Sequence, residues 1–199
     1  MKLYFSPNAC SLAPHIVLRE LALPFELVRV DNQAKTTADG DDFLQINPKG
    51  YVAALQLDNG EVLTEASAIL QYLADLKPAA HLAPANGSWE RVRLQEWLNF
   101  IASEVHGGLA IFFNDAIQGD LRAMFVAKVH KRFAILVQTL ERHDYLLGSQ
   151  YSVADAYLFV VLRWAGLHAI NLQQWPALAA FQQRIGERQT VIAALAAEA

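Results

Sequence analysis

The chain has 199 residues, 54% of them hydrophobic, with 16 basic and 20 acidic side chains and a net charge of −4. That is enough apolar material for a sizeable core, which excludes a disordered polar chain, and the near-balanced charge gives no footprint for nucleic acid or an anionic membrane. A single cysteine excludes an internal disulfide, and six histidines without paired spacing argue against a metal site.

The start, MKLYFSPNAC, has no apolar run of signal-peptide length. No stretch reaches the ~18 apolar residues of a membrane span, so a cytoplasmic location is expected. Lys2 to Phe5 reads as a short strand, followed by turn chemistry at Ser6-Pro7-Asn8. From Ser11 to about Leu23, the positions Leu12, Ile16, Leu18 and Leu21 suit a helix. Pro14 falls in its first turn, where a missing N–H costs little, and Pro24 closes it. Phe25 to Val30 alternates as a strand. A polar stretch then leads to a helical turn near Phe43. Val52 to Leu57 and Glu61 to Thr64 are strand-like runs joined by Asp58-Asn59-Gly60, a strong hairpin signal. Glu65 to Leu76 carries Ile69, Tyr72, Leu73 and Leu76 at helical spacing.

A break at 78–87 contains Pro78, Pro84 and Gly87, and no further strand is expected beyond it. Trp89 to about Phe113 predicts one long helix. Leu121, Phe125, Val129, Phe133, Leu136 and Leu140 predict a second. Ser152 with Asp155 resembles a capping box opening a third, and Tyr151 is placed to staple it. Pro176 opens a fourth, and an alanine-rich helix follows. The expected organisation is an α/β domain over 1–77, a linker over 78–87 and an all-helical domain over 88–199. The first domain carries an acidic excess, so an anionic ligand there would need specific local donors.

Three groups of residues could carry chemistry. Cys10 stands at a strand-to-helix junction, where unpaired N–H groups favour thiolate and lower the pKa. The alternative is a buried small residue. Ser11, by default a cap, and Tyr4, by default packing, are competing hydroxyls, and spacing does not separate the three. Thr64-Glu65-Ala66-Ser67 opens a helix whose free N–H groups can hold a carboxylate. Glu65 either accepts from a ligand ammonium or simply complements the helix dipole. Asn99, Ser103 and His106 fall at i, i+4 and i+7, forming an uncharged polar stripe that suits a cleft wall better than a solvated face. Lys35 lies in the loop after the second strand.

The segments MKLYFSPNACSLAPHIVLRE, INPKGYV, LQLDNGEVLTEASAILQYLADL, EWLNFIASEVH and YSVADAYLF together resemble the cytosolic glutathione S-transferases, in particular the bacterial, cysteine-bearing beta class. The resemblance spans nearly the whole chain. It implies a thioredoxin-like first domain, an all-α second domain, a homodimer and glutathione as co-substrate in a cleft between the domains. Carried across by position, it implies that Cys10 lies beside the glutathione sulfur and that Lys35 reaches the tripeptide. Val52 would pair with its cysteinyl backbone, and Glu65 with the amide of Ala66 would hold the γ-glutamyl end. Asn99, Ser103 and His106 would approach from the helical domain, His106 with Cys10 taking part in catalysis. The implied activity is conjugation of the glutathione thiolate to an apolar electrophile, with thiol–disulfide or peroxide reduction as a further possibility. A carrier or scaffold with weakened glutathione binding is the alternative. Two departures motivate that alternative: Ala53 where the family has proline after a valine, and Ala66 where it has serine or glycine. Because a non-proline cis bond costs roughly 2.5–4 kcal/mol, a trans Val52–Ala53 peptide is expected.

Overall fold

The computed structural model describes Met1–Ala199 and divides into two compact units, Met1–His81 with Arg188–Ala199, and Leu82–Glu187. The first unit is built on a five-stranded sheet in the order β3-β2-β1-β4-β5. Its strands are β1 (Lys2–Phe5), β2 (Glu26–Asp31), β3 (Thr36–Thr37), β4 (Ala54–Gln56) and β5 (Val62–Thr64). The central strand β1 runs parallel to β2, Leu3 opposite Leu27, and antiparallel to β4, Leu3 opposite Leu55. The β4–β5 hairpin closes on Asp58-Asn59-Gly60, where Asn59 Oδ1 accepts from Glu61 N at 3.0 Å and Gly60 takes φ +89°. That left-handed turn is the reason for glycine at this position. The strand β3 is absent from the sequence expectation because two residues are too few to show a period of two.

Alternation along the strands divides the core. Tyr4, Val28, Val30, Val52 and Ala54 pack with Phe43 of the short helix α2 (Phe43–Ile46), Tyr4 and Phe43 having ring centroids 5.7 Å apart. α1 (Leu12–Glu20) buries an unbroken run from Leu12 to Leu18 and packs against α3 (Ala66–Leu76), which buries Ile69, Leu70 and Leu73.

In the second unit, α4 (Trp89–Phe100) passes into a π-helical segment, Ile101–His106, then α5 (Gly107–Ala110) and a 3₁₀ turn at Ile111–Phe113. The single long helix expected here is therefore broken in register. Gly107 and Gly108 hold an α-helix weakly, and Ser103 Oγ bonds back to Asn99 O at 2.9 Å, a bond that bends helices. α8 (Pro176–Gly186) packs against both α6 (Gly119–Leu140) and α7 (Val153–Leu167), the last of which is buried almost throughout. The box at the start of α7 forms: Ser152 N and Oγ both donate to Asp155 Oδ2 at 2.8 Å, and Leu146 N donates to Oδ1 at 2.8 Å.

The last helix, α9 (Gln189–Ala197), groups with the first unit, whereas the sequence boundary left it in the 88–199 domain. It lies on α1, held by ties that composition does not reveal. Arg19 Nε donates to His15 Nε2 at 2.8 Å, so the His15 proton sits on Nδ1 and is shared with Glu198 Oε1 at 2.7 Å. Glu20 accepts from Arg188 and Thr190.

Candidate functional site

Of the residues of the first unit singled out by sequence, Cys10, Lys35 and Glu65 gather around one loop, Asn47 to Ala53. Asn47, 2% exposed, organises it: its backbone O accepts from Gly50 N, its Oδ1 from Lys49 N, and its Nδ2 donates to Tyr51 O at 2.7 Å. Three elements then converge on the loop. From the β1–α1 turn, Cys10 Sγ donates to Val52 O at 3.4 Å. After β2, Lys35 at φ +58° sends Nζ to Gly50 O at 2.8 Å, with the ammonium 5.0 Å from the centre of the Tyr51 ring. At the start of α3, Glu65 at φ +73° receives Lys49 Nζ at 2.6 Å, and the same ammonium reaches Thr64 Oγ1 at 3.1 Å.

The Val52–Ala53 peptide is cis, which corrects the trans expectation. That expectation weighed the peptide alone, whereas both residues are buried and the carbonyls of Tyr51 and Val52 are held by Asn47 and Cys10. Ala66 is buried at the first position of α3 and, having no hydroxyl, offers a ligand only its backbone N–H.

The thiolate expected at Cys10 is also corrected. α1 begins at Leu12 with Ser11 as its N-cap, so Cys10 precedes the helix. Burial pushes its thiol up to about 11, outweighing the backbone N–H groups of Ala53 and Cys10 that pull it down, and Glu65 raises it further. The half-buried Cys10 is therefore a neutral hydrogen-bond donor at pH 7. The two competing hydroxyls are spent elsewhere. Ser11, fully buried, exchanges hydrogen bonds with Ser6, accepting from its N at 3.3 Å and donating to its O at 3.4 Å. Tyr4 OH donates to Gln56 Oε1 at 3.0 Å, and burial raises its pKa.

The stripe Asn99, Ser103 and His106 lies in the second unit, on α4 and the π-helical segment. Asn99 and Ser103 are exposed, while His106 is half-buried: its Nδ1 shares a hydrogen bond with Tyr157 OH at 2.6 Å, and its ring stands edge-on to Trp164 at 4.8 Å. The aromatic wall continues from Trp164 to Phe113 at 5.2 Å and from Phe113 to His168 at 4.5 Å. Burial and the nearby Arg122 charge lower the His168 pKa. Sequence reasoning missed Asn47 and Lys49, while for an apolar second-substrate pocket it pointed to the loop after Phe5 and the helices around Phe112 and Trp164. Those two were visible only as part of INPKG, and Tyr157, Phe113 and His168 carried no signal of their own.

A hollow of about 340 Å³ at the β2–β3 edge, lined by Ser6, Arg29 and Thr36 among others, touches none of the residues singled out.

Residues 8–76 match the family model described as glutathione S-transferase, N-terminal domain, and residues 100–189 match glutathione S-transferase, C-terminal domain. The glutathione S-transferase GstA of Escherichia coli O157:H7 is 43% identical over 198 residues, covering 100% of this chain and 98% of the relative. Among solved structures, the ternary complex of BphK, a bacterial GST, is 54% identical with a TM-score of 0.97, covering 100% of this chain and 99% of that one. The bacterial beta class glutathione S-transferase of Sphingomonas chungbukensis is 45% identical with a TM-score of 0.95, covering 100% and 98%.

Proposed function

The chain belongs to the glutathione S-transferase family, and from that premise we propose how its residues divide the work. The protein is a glutathione transferase of beta-class type, and glutathione is its co-substrate. The observation that carries the assignment of residues is the convergence of Cys10, Lys35 and Glu65 on the segment Lys49–Val52. In this reading, Val52 pairs with the cysteinyl backbone of glutathione and Lys35 leaves Gly50 O for a ligand carboxylate. Glu65 takes the γ-glutamyl ammonium, and the N–H of Ala66 at the start of α3 takes the neighbouring carboxylate. Asn99, Ser103 and His106 are assigned to glutathione binding as well, and the Phe113–Trp164 wall to the apolar electrophile.

The neutral state of Cys10 decides its role. A thiol at about 11 carries only about one part in ten thousand of thiolate at pH 7, too little for a fast nucleophile. It is fully available as a donor. The glutathione thiol loses its proton to solvent, and Cys10 Sγ–H, redirected from Val52 O, donates to the resulting thiolate. The thiolate sulfur then bonds to the electrophilic carbon as the leaving group departs with its electron pair. A donor aimed at the thiolate lowers the pKa of the glutathione thiol without a metal. Conjugation is therefore favoured over disulfide reduction through Cys10. Steady-state assays with glutathione and an aromatic halide, and in parallel with hydroxyethyl disulfide, test this. Saturable turnover of the halide is expected, and absence of turnover in both assays overturns the reading. The reading extends to a homodimer in the cytoplasm, for which sedimentation equilibrium should return twice the chain mass of 22.1 kDa.

A further inference from the structure

Tyr157 is 2% exposed, on the almost wholly buried helix α7. A buried phenol hydroxyl has to find a partner, and this one meets His106 Nδ1 at 2.6 Å. Trp164 follows about two turns later on the same face of α7. Both rings stand edge-on to the His106 imidazole, with centroids at 5.8 Å for Tyr157 and 4.8 Å for Trp164. His106 closes the π-helical segment, which packs against α7. Two aromatic rings and one hydrogen bond thus fix how the imidazole is turned.

A neutral imidazole has one N–H donor and one bare nitrogen, and the hydrogen bond made at one nitrogen settles which of them bears the proton. A phenol O–H donates better than an imidazole N–H, and a bare imidazole nitrogen accepts better than a phenol oxygen. The short contact therefore runs from Tyr157 O–H to His106 Nδ1, which leaves the ring proton on Nε2. We propose that Tyr157 is a positioning residue for the transfer reaction: it holds His106 in the Nε2–H tautomer, so that the imidazole meets the bound co-substrate as a hydrogen-bond donor and not as a base. The inference rests on the assignment of His106 to glutathione given above. It agrees with loss of the glutathione proton to solvent, since a ring with Nδ1 taken and Nε2 protonated has no nitrogen left to accept it. A tyrosine that served packing alone would need its ring but not its hydroxyl.

Two readouts on the full chain test this. The first is the ring-nitrogen magnetic resonance spectrum of histidine-labelled protein at about pH 8, above the ordinary histidine pKa of about 6.5, with His106 assigned by its absence in His106→Ala. The wild type should show His106 protonated at Nε2, with Nδ1 displaced by an accepted hydrogen bond, and Tyr157→Phe should lose that displacement. A proton on Nδ1 in the wild type overturns the proposal. The second is a double-mutant cycle in kcat/KM for conjugation of an aromatic halide. Tyr157→Phe should cost about tenfold in the wild-type background, the size of one hydrogen bond to a charged group, and almost nothing more in His106→Ala. Wild-type rates in Tyr157→Phe, or an equal loss in both backgrounds, overturn the role of Tyr157 while leaving the glutathione reading standing. Unchanged kcat/KM and glutathione affinity in His106→Ala overturn the assignment of His106 and the inference together. Should Tyr157→Phe fail to fold, the wild-type spectrum still decides.

Discussion

At the scale of the residue, Cys10 is a buried thiol rather than an activated nucleophile, and its pH behaviour is the sharpest consequence. Its rate of alkylation by iodoacetamide should rise about tenfold per pH unit from neutrality toward about 11, because thiolate is the reacting species. An inflection near pH 7 would contradict the neutral donor. Cys10→Ala should lower kcat/KM for halide conjugation by about tenfold, while Cys10→Ser, which keeps a donor, should retain most of it. Glu65→Gln should raise the KM for glutathione by about tenfold through loss of the ammonium partner, read from steady-state kinetics. The sequence placed Cys10 at the right junction. It could not reveal the thiol pKa, because burial comes from Val52 and its neighbours some forty positions away.

At the scale of the element, the start of α7 offers a test with a sign. Asp155 is fully buried, and burial raises its carboxyl from 3.8 to about 6 despite hydrogen bonds from Leu146 N, Ser152 Oγ, Ser152 N and its own N–H that favour the charged form. A folded pKa above the unfolded one adds stability that is complete below about pH 4 and lost as the pH rises through about 6. The advantage of wild type over Asp155→Ala should therefore grow on acidification from pH 7 to 4, by at most about 3 kcal/mol, in denaturant titrations. At pH 7 the substitution should still cost about 2–4 kcal/mol, since it strands buried N–H and O–H groups of Leu146 and Ser152. This box was legible in the sequence because its signal is local, as were the β4–β5 hairpin and the proline in α1. β3, the π-helical segment after α4 and the Val52–Ala53 conformation were not. The first is too short to show a period, the second depends on a side chain bonding back to its own helix, and the third is held by contacts from other elements.

At the scale of the whole molecule, the order of a mixed sheet followed by helices was readable from pattern alone, while the allegiance of α9 was not. Its ties run through His15, Glu20, Arg188 and Glu198, polar residues whose pairing across the length of the chain leaves no local pattern. Glu20→Ala should lower the thermal midpoint by a few degrees, about 1–2 kcal/mol, because it removes the acceptor for both Arg188 and Thr190. An unchanged midpoint would show that apolar packing alone holds α9. The same contrast holds for the candidate site: Cys10, Lys35 and Glu65 were singled out from the sequence, but the loop on which they converge, with Asn47 at its centre and Lys49 reaching Glu65, is a product of folding. The proposed role of Cys10, a neutral donor to the glutathione thiolate, draws on the whole fold. Titration of enzyme-bound glutathione, followed by its ultraviolet thiolate absorbance in wild type and Cys10→Ala, tests that role directly. The bound thiol should ionise about one to two units below the ordinary value of about 8.5 in the wild type, and about one unit higher in the variant. Ionisation near 8.5 in the wild type, or identical curves for the two proteins, would contradict it.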